Sequence, residues 1–326
     1  MRISTFSPAI VCLAGTALSL SAYAQTAQAN KPLMLVTSFG PGAIALPVGE
    51  GWKPELLTVY DKGNRPVAQF SKGGITASFI VFANHSGKPT PEGCREDAVT
   101  PILQKEGQHV SKRIDGETKT SSGQPLATTS YLLDMGAAHQ RNLIALAGND
   151  KTCLEIHIST VTDSAAQEAA MQATVSGFHP DLAYQPTAAD YFRLASLLFK
   201  SQPSLAAPYY KSTLDTMPPD PTYRRVVIDQ LVMSLGMSGD LKNSRAVAES
   251  AIVTDPDYPM NYYNLACADA EQGDAVAAKV HLQQAFDRRA NVIKGESMPD
   301  PVKDESLLKL SKDKVFWSFV EALPKN

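Results

Sequence analysis

The side chains that most often carry out chemistry are scattered along this chain rather than grouped into a motif. No two histidines have the spacing that places two metal ligands on one face of a helix. The sequence also lacks the motifs of a nucleophile elbow, a zinc protease, a phosphate-binding loop, a dinucleotide-binding turn and a calcium loop. We therefore predict no catalytic residue, no metal site, no cofactor and no enzymatic activity. The histidines are His85, His109, His139, His157, His179 and His281.

Residues 1–24 have the three parts of a secretory signal peptide. Arg2 supplies a positive charge, the run from Ala9 to Leu20 is apolar, and Ala22 to Ala24 presents the small residues that signal peptidase accepts. We predict cleavage before Gln25 and a periplasmic or secreted mature protein. No other apolar run reaches the roughly 20 residues of a membrane-spanning helix, so we predict no integral membrane span after cleavage. The alternative is an uncleaved N-terminal anchor.

Export changes what the cysteines are expected to do. In an oxidising compartment Cys94 and Cys153 can form a disulfide, which a chain-entropy model values at roughly 4 kcal/mol for a loop of this length. The alternative is two buried free thiols. Cys267 lies in an alanine-rich segment and is predicted to be a small core residue. No pair has the Cys-x-x-Cys spacing of a redox or zinc site.

Composition limits the class of protein further. The chain has 326 residues, 44% of them hydrophobic and 19% charged, which suits two domains with buried cores. Its formal net charge is −3, and no segment is basic enough to attract a polyanion. We therefore exclude nucleic acid as a partner.

Residues 31–185 have the pattern of a sheet domain. Short apolar runs are bounded by turn residues, and two helical patterns interrupt them, at Pro91–Lys105 and Asp163–Phe178 with Asp163 or Ser164 as the N-cap. We predict an α+β domain with a mainly antiparallel sheet and two helices. The predicted strands are Leu33–Ser38, Ala43–Leu46, Leu56–Tyr60, Val67–Phe70, Ile75–Ala83, Leu126–Asp134, Arg141–Ala147 and Cys153–Val161.

Residues 191–290 repeat with a period of 34 residues. Apolar residues recur at matching positions of three units, 191–224, 225–258 and 259–290. Gly239 and Gly273 fall 34 residues apart, and each precedes an aspartate, which predicts a helix end followed by a new N-cap. A helix hairpin of this kind leaves one apolar face uncovered, so the units must stack.

This pattern resembles the tetratricopeptide repeat (TPR), and the stretch Tyr262–Phe286 is a close match. The resemblance implies an all-α array of helix hairpins over residues 187–326, in which Asp304–Leu323 looks like the capping helices that follow bacterial repeats. In the first half, the order of strands and helices and the entry Ile44–Trp52 are loosely similar to a PsbP-like α/β/α sandwich. That family is mostly non-catalytic and serves assembly or interaction.

The TPR resemblance also implies a binding surface along the first helix of each hairpin. Its methionines, aromatic side chains and amides suit a peptide with apolar anchors. The alternative is that Met233, Met237 and Phe199 pack against the preceding domain and that the repeats act as a docking spacer. The predicted partner-binding residues are Phe199, Gln230, Met233, Met237, Met260, Tyr263 and Asn264.

The sequence therefore predicts an exported, non-enzymatic protein–protein interaction or scaffold protein. Its partner would be a protein or peptide of the cell envelope, bound in the TPR groove. One alternative is a small-molecule or lipid carrier that uses the α+β domain. A further alternative is an enzyme whose site is assembled without any local motif.

Overall fold

The computed structural model describes residues 32–46, 51–60, 65–162 and 164–324. The predicted signal peptide, residues 1–24, lies outside the described residues. The chain divides into a first compact unit, Pro32–Leu198, and a second one that contains Phe199–Asn326. The boundary falls after Leu198, inside the first of the predicted hairpins, 191–224.

The first unit is built on antiparallel sheets, as the sequence predicts. The strands are β1 Met34–Val36, β2 Ala43–Ala45, β3 Lys53–Tyr60, β4 Arg65–Lys72, β5 Ile75–Ala83, β6 Val110–Lys119, β7 Pro125–Asp134, β8 His139–Gly148, β9 Thr152–Thr160 and β10 Pro180–Asp181. In the seven-stranded sheet the order is β3-β4-β5-β9-β8-β7-β6, and in the three-stranded sheet it is β1-β2-β10, with every neighbouring pair antiparallel.

Strand β9 shows how the sequence separates the two faces of the large sheet. Successive side chains of a strand point to opposite faces, so Leu154, Ile156 and Ile158 lie together in one core. The small sheet and helix α2, Ala165–Ser176, contribute to this core. Ser164 is the N-cap of α2, because its hydroxyl accepts a hydrogen bond from the Gln167 N–H at 3.2 Å. Asp163, the other predicted cap, lies outside the described residues.

Helix α1, Pro91–Glu106, packs on the opposite face of the large sheet. The predicted disulfide is confirmed: Cys94 of α1 is bonded to Cys153 of β9, with their Cα atoms 5.5 Å apart. Gly148 makes this close approach possible, because a Cβ at that position would clash with the Cys94 Sγ. The bond joins the helix to the centre of the sheet.

Strand β6 is the longer of the two strands that the sequence pattern missed, the other being the two-residue β10. Nearly all of its side chains are exposed, including Ile114, and it forms one edge of the large sheet. An edge strand is held by backbone hydrogen bonds to one neighbour, here β7, and needs no alternation of apolar residues. The polar sequence of β6 is therefore compatible with a strand that hydrophobic periodicity cannot detect.

The rest of the described chain is helical. Helix α3, Ala188–Leu198, closes the first unit, and the remaining helices belong to the second. The helices of the second unit are α4 Pro203–Thr216, α5 Pro221–Met237, α6 Leu241–Thr254, α7 Pro259–Glu271, α8 Ala275–Asp287, α9 Glu305–Leu308 and α10 Lys314–Ala322. Each helix from α4 to α7 packs on the next helix in sequence.

The bends after α5 and α7 have the same backbone structure. Gly239 has φ +82° and Gly273 has φ +79°, a region that other residues rarely adopt. The N–H of the following residue, Asp240 or Asp274, donates to a carbonyl oxygen five residues earlier at 2.9 Å in both bends. Each aspartate then caps the next helix by accepting from the N–H three residues ahead. The 34-residue sequence period therefore corresponds to a backbone bend that is repeated after 34 residues.

Candidate partner-binding surface

The predicted partner-binding residues lie mainly on α5 and α7. Gln230, Met233 and Met237 follow one another at helical spacing on α5, and Met260, Tyr263 and Asn264 do so on α7. The two rows meet, because the Asn264 side-chain amide donates to Asp229 Oδ1 at 2.8 Å. We call the side of the two helices that carries these residues the α5–α7 face.

Phe199 joins this face through an aromatic contact. Its ring lies edge-on to that of Tyr210, with the centroids 6.2 Å apart. The Tyr210 hydroxyl in turn donates to Gln230 Oε1 at 3.5 Å, a long hydrogen bond. Met237 packs against the core that contains Met260 and Tyr263. These contacts connect six of the predicted partner-binding residues, and the seventh, Met233, lines a small cavity together with Asn264.

These residues differ in how far they are accessible. Phe199, Met260, Tyr263 and Asn264 are 6%, 3%, 1% and 7% exposed, so they are buried. Gln230, Met233 and Met237 are half-buried. The α5 row can be touched by a partner as the protein stands, whereas the α7 row cannot.

A later part of the chain covers the α7 row. We call residues 292–304 the covering segment. Its Met298 is 4% exposed and belongs to the same core as Met260 and Tyr263. At its end the Asp304 carboxylate accepts a hydrogen bond from the Tyr263 hydroxyl at 3.2 Å. The Cys267 thiol lies 3.7 Å from both Asp304 oxygens.

Asp304 also begins the next helix. Its Oδ1 accepts from the backbone N–H groups of Ser306 and Leu307 at 3.0 Å and 3.2 Å, which makes it the N-cap of α9. Helix α9 is held at the end of α7, since the Ser306 hydroxyl donates to Glu271 at 2.7 Å and Lys309 forms an ion pair with the same carboxylate. One buried aspartate thus joins α7, the covering segment and α9.

Glu296 attaches the middle of the covering segment to the start of α7. Its carboxylate accepts from the Tyr258 hydroxyl at 2.9 Å and from the Ile293 N–H at 3.0 Å. Burial raises the pKa of Glu296, and these two hydrogen bonds act in the opposite direction. The Arg225 guanidinium lies 4.8 Å from the centre of the Tyr258 ring and forms two hydrogen bonds with Asp255.

Asp229 is the titratable group at the centre of the α5–α7 face. It is 3% exposed, and burial raises the pKa of its carboxyl to about 7. The hydrogen bond from Asn264 lowers this pKa, and the charge of Glu296 raises it. Near neutral pH the group is therefore divided between its protonated and ionised forms.

Two histidines with close polar partners lie elsewhere. His281 Nδ1 lies 2.6 Å from Asp269, a buried carboxylate that also pairs with Arg245, so this network ties α6, α7 and α8 together. His157 Nε2 lies 3.0 Å from Asn142 Oδ1, and burial lowers the pKa of His157 to about 4. In the described part of the chain, no group of three or more His, Cys, Asp or Glu side chains is placed to hold a metal ion.

The sequence pattern missed the residues that complete the α5–α7 face. Glu296, Met298 and Asp304 lie after the last repeat, in a segment without any helical period. The only local signal is Asp304 three residues before the apolar pair Leu307 and Leu308, which predicts an N-cap but not a bond to Tyr263. Tyr258 precedes its helix as the N-cap and lies outside the predicted binding positions.

Comparisons with known proteins assign neither a family nor a function to this chain. No family model and no curated protein matches the chain. A crystal structure of a protein from Bacteroides thetaiotaomicron VPI-5482 is similar at 9% identity and a TM-score of 0.30, over 63% of this chain and 78% of that one. A likeness at this TM-score carries no inference about fold or function. Among the described residues, no helix combines the length and apolar character that crossing a membrane requires.

Proposed function

We propose that this chain is an exported, non-enzymatic interaction protein whose second unit is a TPR-like array that binds a protein or peptide of the cell envelope. The observation that carries the proposal is the repetition of one bend at Gly239 and Gly273, 34 residues apart, with matching φ angles and matching aspartate caps. Helix hairpins that repeat in this way stack into arrays whose faces serve as extended binding surfaces.

The α5 row is the part of the surface that first meets the partner. Met233 and Met237 are half-buried, unbranched and adaptable side chains, and Gln230 adds a polar group beside them. A helical or extended peptide with apolar anchors suits such a row. The α7 row contributes only if the covering segment moves away from Tyr263 and Met260.

The first unit is compatible with the same function. Helix α1 and helix α2 lie on opposite faces of the large sheet, which is the layer order of the PsbP-like α/β/α sandwich. The Cys94–Cys153 disulfide supports an oxidising compartment, and the predicted signal peptide supports the periplasm or the exterior. Release of the protein by osmotic shock, with its N-terminus at Gln25, tests this localisation.

Photo-crosslinking tests the binding proposal. A photoreactive phenylalanine analogue replaces Met233 in the full chain expressed in its host, and a second variant carries it at Val253, which is 84% exposed on α6. We expect one discrete crosslinked protein from position 233 and none from position 253. Co-purification of that protein should be lost with Met233→Arg and retained with Val253→Arg. Equal crosslinking at both positions, or retention with Met233→Arg, would contradict the proposal.

A separate experiment tests the hypothesis that the chain is a lipid or small-molecule carrier. It requires an apolar interior that a lipid or small molecule can enter, whereas Phe79, Ile156 and Met171 fill the face of the sheet against α2. Native mass spectrometry of the purified chain distinguishes the two functions. A bound lipid that resists dilution would favour the carrier.

A further inference from the structure

The covering segment contacts the α7 row through a short series of side chains, as a bound peptide contacts its receptor. Glu296 accepts a hydrogen bond from Tyr258, which lies just before α7 begins. Asp304 accepts one from Tyr263, farther along the same helix, so the segment runs in the direction of α7. Between these two carboxylates, Met298 enters the core to which α7 contributes. The contacts therefore follow the order acidic, apolar, acidic.

The conformation that directs Glu296 toward Tyr258 is formed within the segment. The Glu296 N–H donates to the Ile293 carbonyl oxygen at 2.8 Å, and the Glu296 carboxylate accepts from the Ile293 N–H at 3.0 Å. Gly295, the third residue of this turn, has φ +89°, a value that such a turn requires and that glycine adopts readily. A separate peptide with this sequence contains every group that makes the turn.

Most of the apolar side chains that complete the core follow the covering segment. The segment itself adds the buried Met298, whereas Val292, Ile293 and Val302 pack against the core in part. Helix α9 packs on α7, and α10 packs on α8. These two helices therefore hold the end of the array together while the segment before them changes position. The part of the chain from α9 onward adds Leu307, Leu310, Phe316, Val320 and Leu323.

The α7 row selects for an acidic ligand. The hydroxyls of Tyr258 and Tyr263 are on buried side chains and donate to Glu296 and Asp304. An apolar ligand in place of the segment would remove these hydroxyls from water without replacing their acceptors, which is costly. Burial raises the pKa of Glu296, and the positive charge of Arg225 lowers it. That charge favours a carboxylate at the start of α7.

We propose that the covering segment is a built-in ligand of the α7 row, and that the partner displaces it with a segment of the same chemistry, an unbranched apolar side chain such as methionine between two acidic residues. This inference rests on the proposed function, because it names the chemistry of that partner and what the partner must displace. The segment then lowers the apparent affinity for the partner, in proportion to the fraction of molecules in which the α7 row is open.

A fluorescent peptide with the sequence of residues 292–304 tests this chemistry by anisotropy on the full mature chain. The peptide carries Lys294→Ala and Lys303→Ala, which make it resistant to trypsin. A control peptide carries in addition Glu296→Gln, Met298→Ser and Asp304→Asn. We expect the control peptide to bind about tenfold more weakly or not at all. Equal binding of the two peptides would overturn the inference.

The same three changes, made in the protein, give the open variant. It weakens the contacts of the segment and keeps an N-cap on α9, since asparagine caps helices as well as aspartate does. We expect the open variant to bind the acidic peptide about tenfold or more tighter than the parent. Lys294→Ala with Ser297→Ala changes two exposed side chains of the segment and should bind like the parent. No binding to the open variant, or the same affinity in parent and open variant, would sink the assignment.

A measurement on the parent protects the test against a variant that does not fold, which circular dichroism detects. Excess acidic peptide should expose the segment and accelerate tryptic cleavage of the parent after Lys294, whereas the control peptide should not. If the open variant does not fold, Glu296→Gln with Asp304→Asn replaces it, and a cleavage rate that the acidic peptide leaves unchanged counts against displacement.

Photo-crosslinking at Met233 distinguishes this inference from the proposed function. We expect the open variant to give a higher yield of the crosslinked partner than the parent. The same yield in both would contradict the built-in ligand and leave the proposed function standing. Tight binding of the acidic peptide without any crosslinked protein would contradict the proposed function and support the α7 row as a site for acidic–apolar peptides.

Discussion

At the scale of single residues, Asp229 makes stability depend on pH. A carboxyl group has a pKa of about 3.9 in an unfolded chain, whereas burial raises that of Asp229 to about 7 in the folded protein. Between these two values the folded state holds one proton more than the unfolded state. The free energy of unfolding therefore falls as pH rises, by at most about 1.4 kcal/mol per pH unit from this group. The stabilisation is complete below the unfolded pKa and is lost as pH rises through 7.

Asp229→Asn should remove this dependence, because the amide stays neutral and its oxygen can still accept from Asn264. We expect the variant to be more stable than the parent at pH 8 and to show a flatter stability profile between about pH 4 and 7. Urea unfolding at a series of pH values, followed by helical circular dichroism, measures the difference. An unchanged slope would mean that Asp229 is ionised in the folded protein throughout this range.

Other buried groups also make the stability of the parent depend on pH. The contribution of Asp229 is therefore the difference between the parent and the Asp229→Asn variant. Burial raises the pKa of Glu155 in the first unit to about 7, although the nearby Arg65 lowers it, and Glu155→Gln removes that contribution. His157 acts in the opposite sense, since its pKa is lowered to about 4 and stability from this group rises with pH up to its unfolded value. Glu296 has a raised pKa as well and acts in the same direction as Asp229.

At the scale of elements, the position of the covering segment depends mainly on one carboxylate. It contains no regular helix or strand, so its position comes from side-chain contacts at Glu296, Met298 and Asp304. Of these, Asp304 bonds α7 and begins α9 at the same time. Removing its carboxylate should release both elements together.

Asp304→Ala should therefore loosen the segment and expose Cys267. The loss of a helix cap and of a buried acceptor is expected to cost about 2 kcal/mol. Cys267 is buried in the parent, and Cys94 and Cys153 are bonded to each other, so a thiol reagent reports on this site. We expect slow labelling of the mature parent and much faster labelling of the variant, with faster tryptic cleavage after Lys294 and Lys303.

A matched control distinguishes the loss of a helix N-cap from the release of the covering segment. Asp313 is the N-cap of α10 and accepts from the N–H groups of Val315 and Phe316, but within the described part of the chain it forms no hydrogen bond or ion pair with α7. Asp313→Ala should cost about 1 kcal/mol without faster labelling of Cys267. Equal labelling in the two variants would show that general destabilisation, rather than release of the segment, exposes the thiol.

At the scale of the whole molecule, the sequence predicted what is periodic and missed what is not. The alternation around Ile156 identified a strand, and the spacing of Gly239 and Gly273 identified two equivalent bends, because each pattern reflects a local backbone geometry. The same spacing placed Met260 and Tyr263 on one side of a helix. It carried no information about what covers them, since Met298 and Asp304 reach that side through a segment whose path depends on tertiary contacts alone.

The disulfide offers a test of how far the two units depend on each other for stability. Cys94 and Cys153 are 59 residues apart, and in the chain-entropy model closing such a loop destabilises the unfolded state by about 4 kcal/mol. Both residues lie in the first unit, so the effect should be confined to its unfolding if the second unit is independently stable.

Reduction of the parent, or replacement by Cys94→Ser with Cys153→Ser, should therefore lower the unfolding temperature of the first unit only. Differential scanning calorimetry with and without reductant measures this, and Trp317 fluorescence reports on the second unit once Trp52 is replaced by Phe. Cys267→Ser is the control, because Cys267 forms no disulfide and reductant should therefore not change its contribution to stability. If reduction also lowers the unfolding temperature that Trp317 fluorescence reports, the two units unfold cooperatively. A partner bound at α5 would then stabilise the sheet as well.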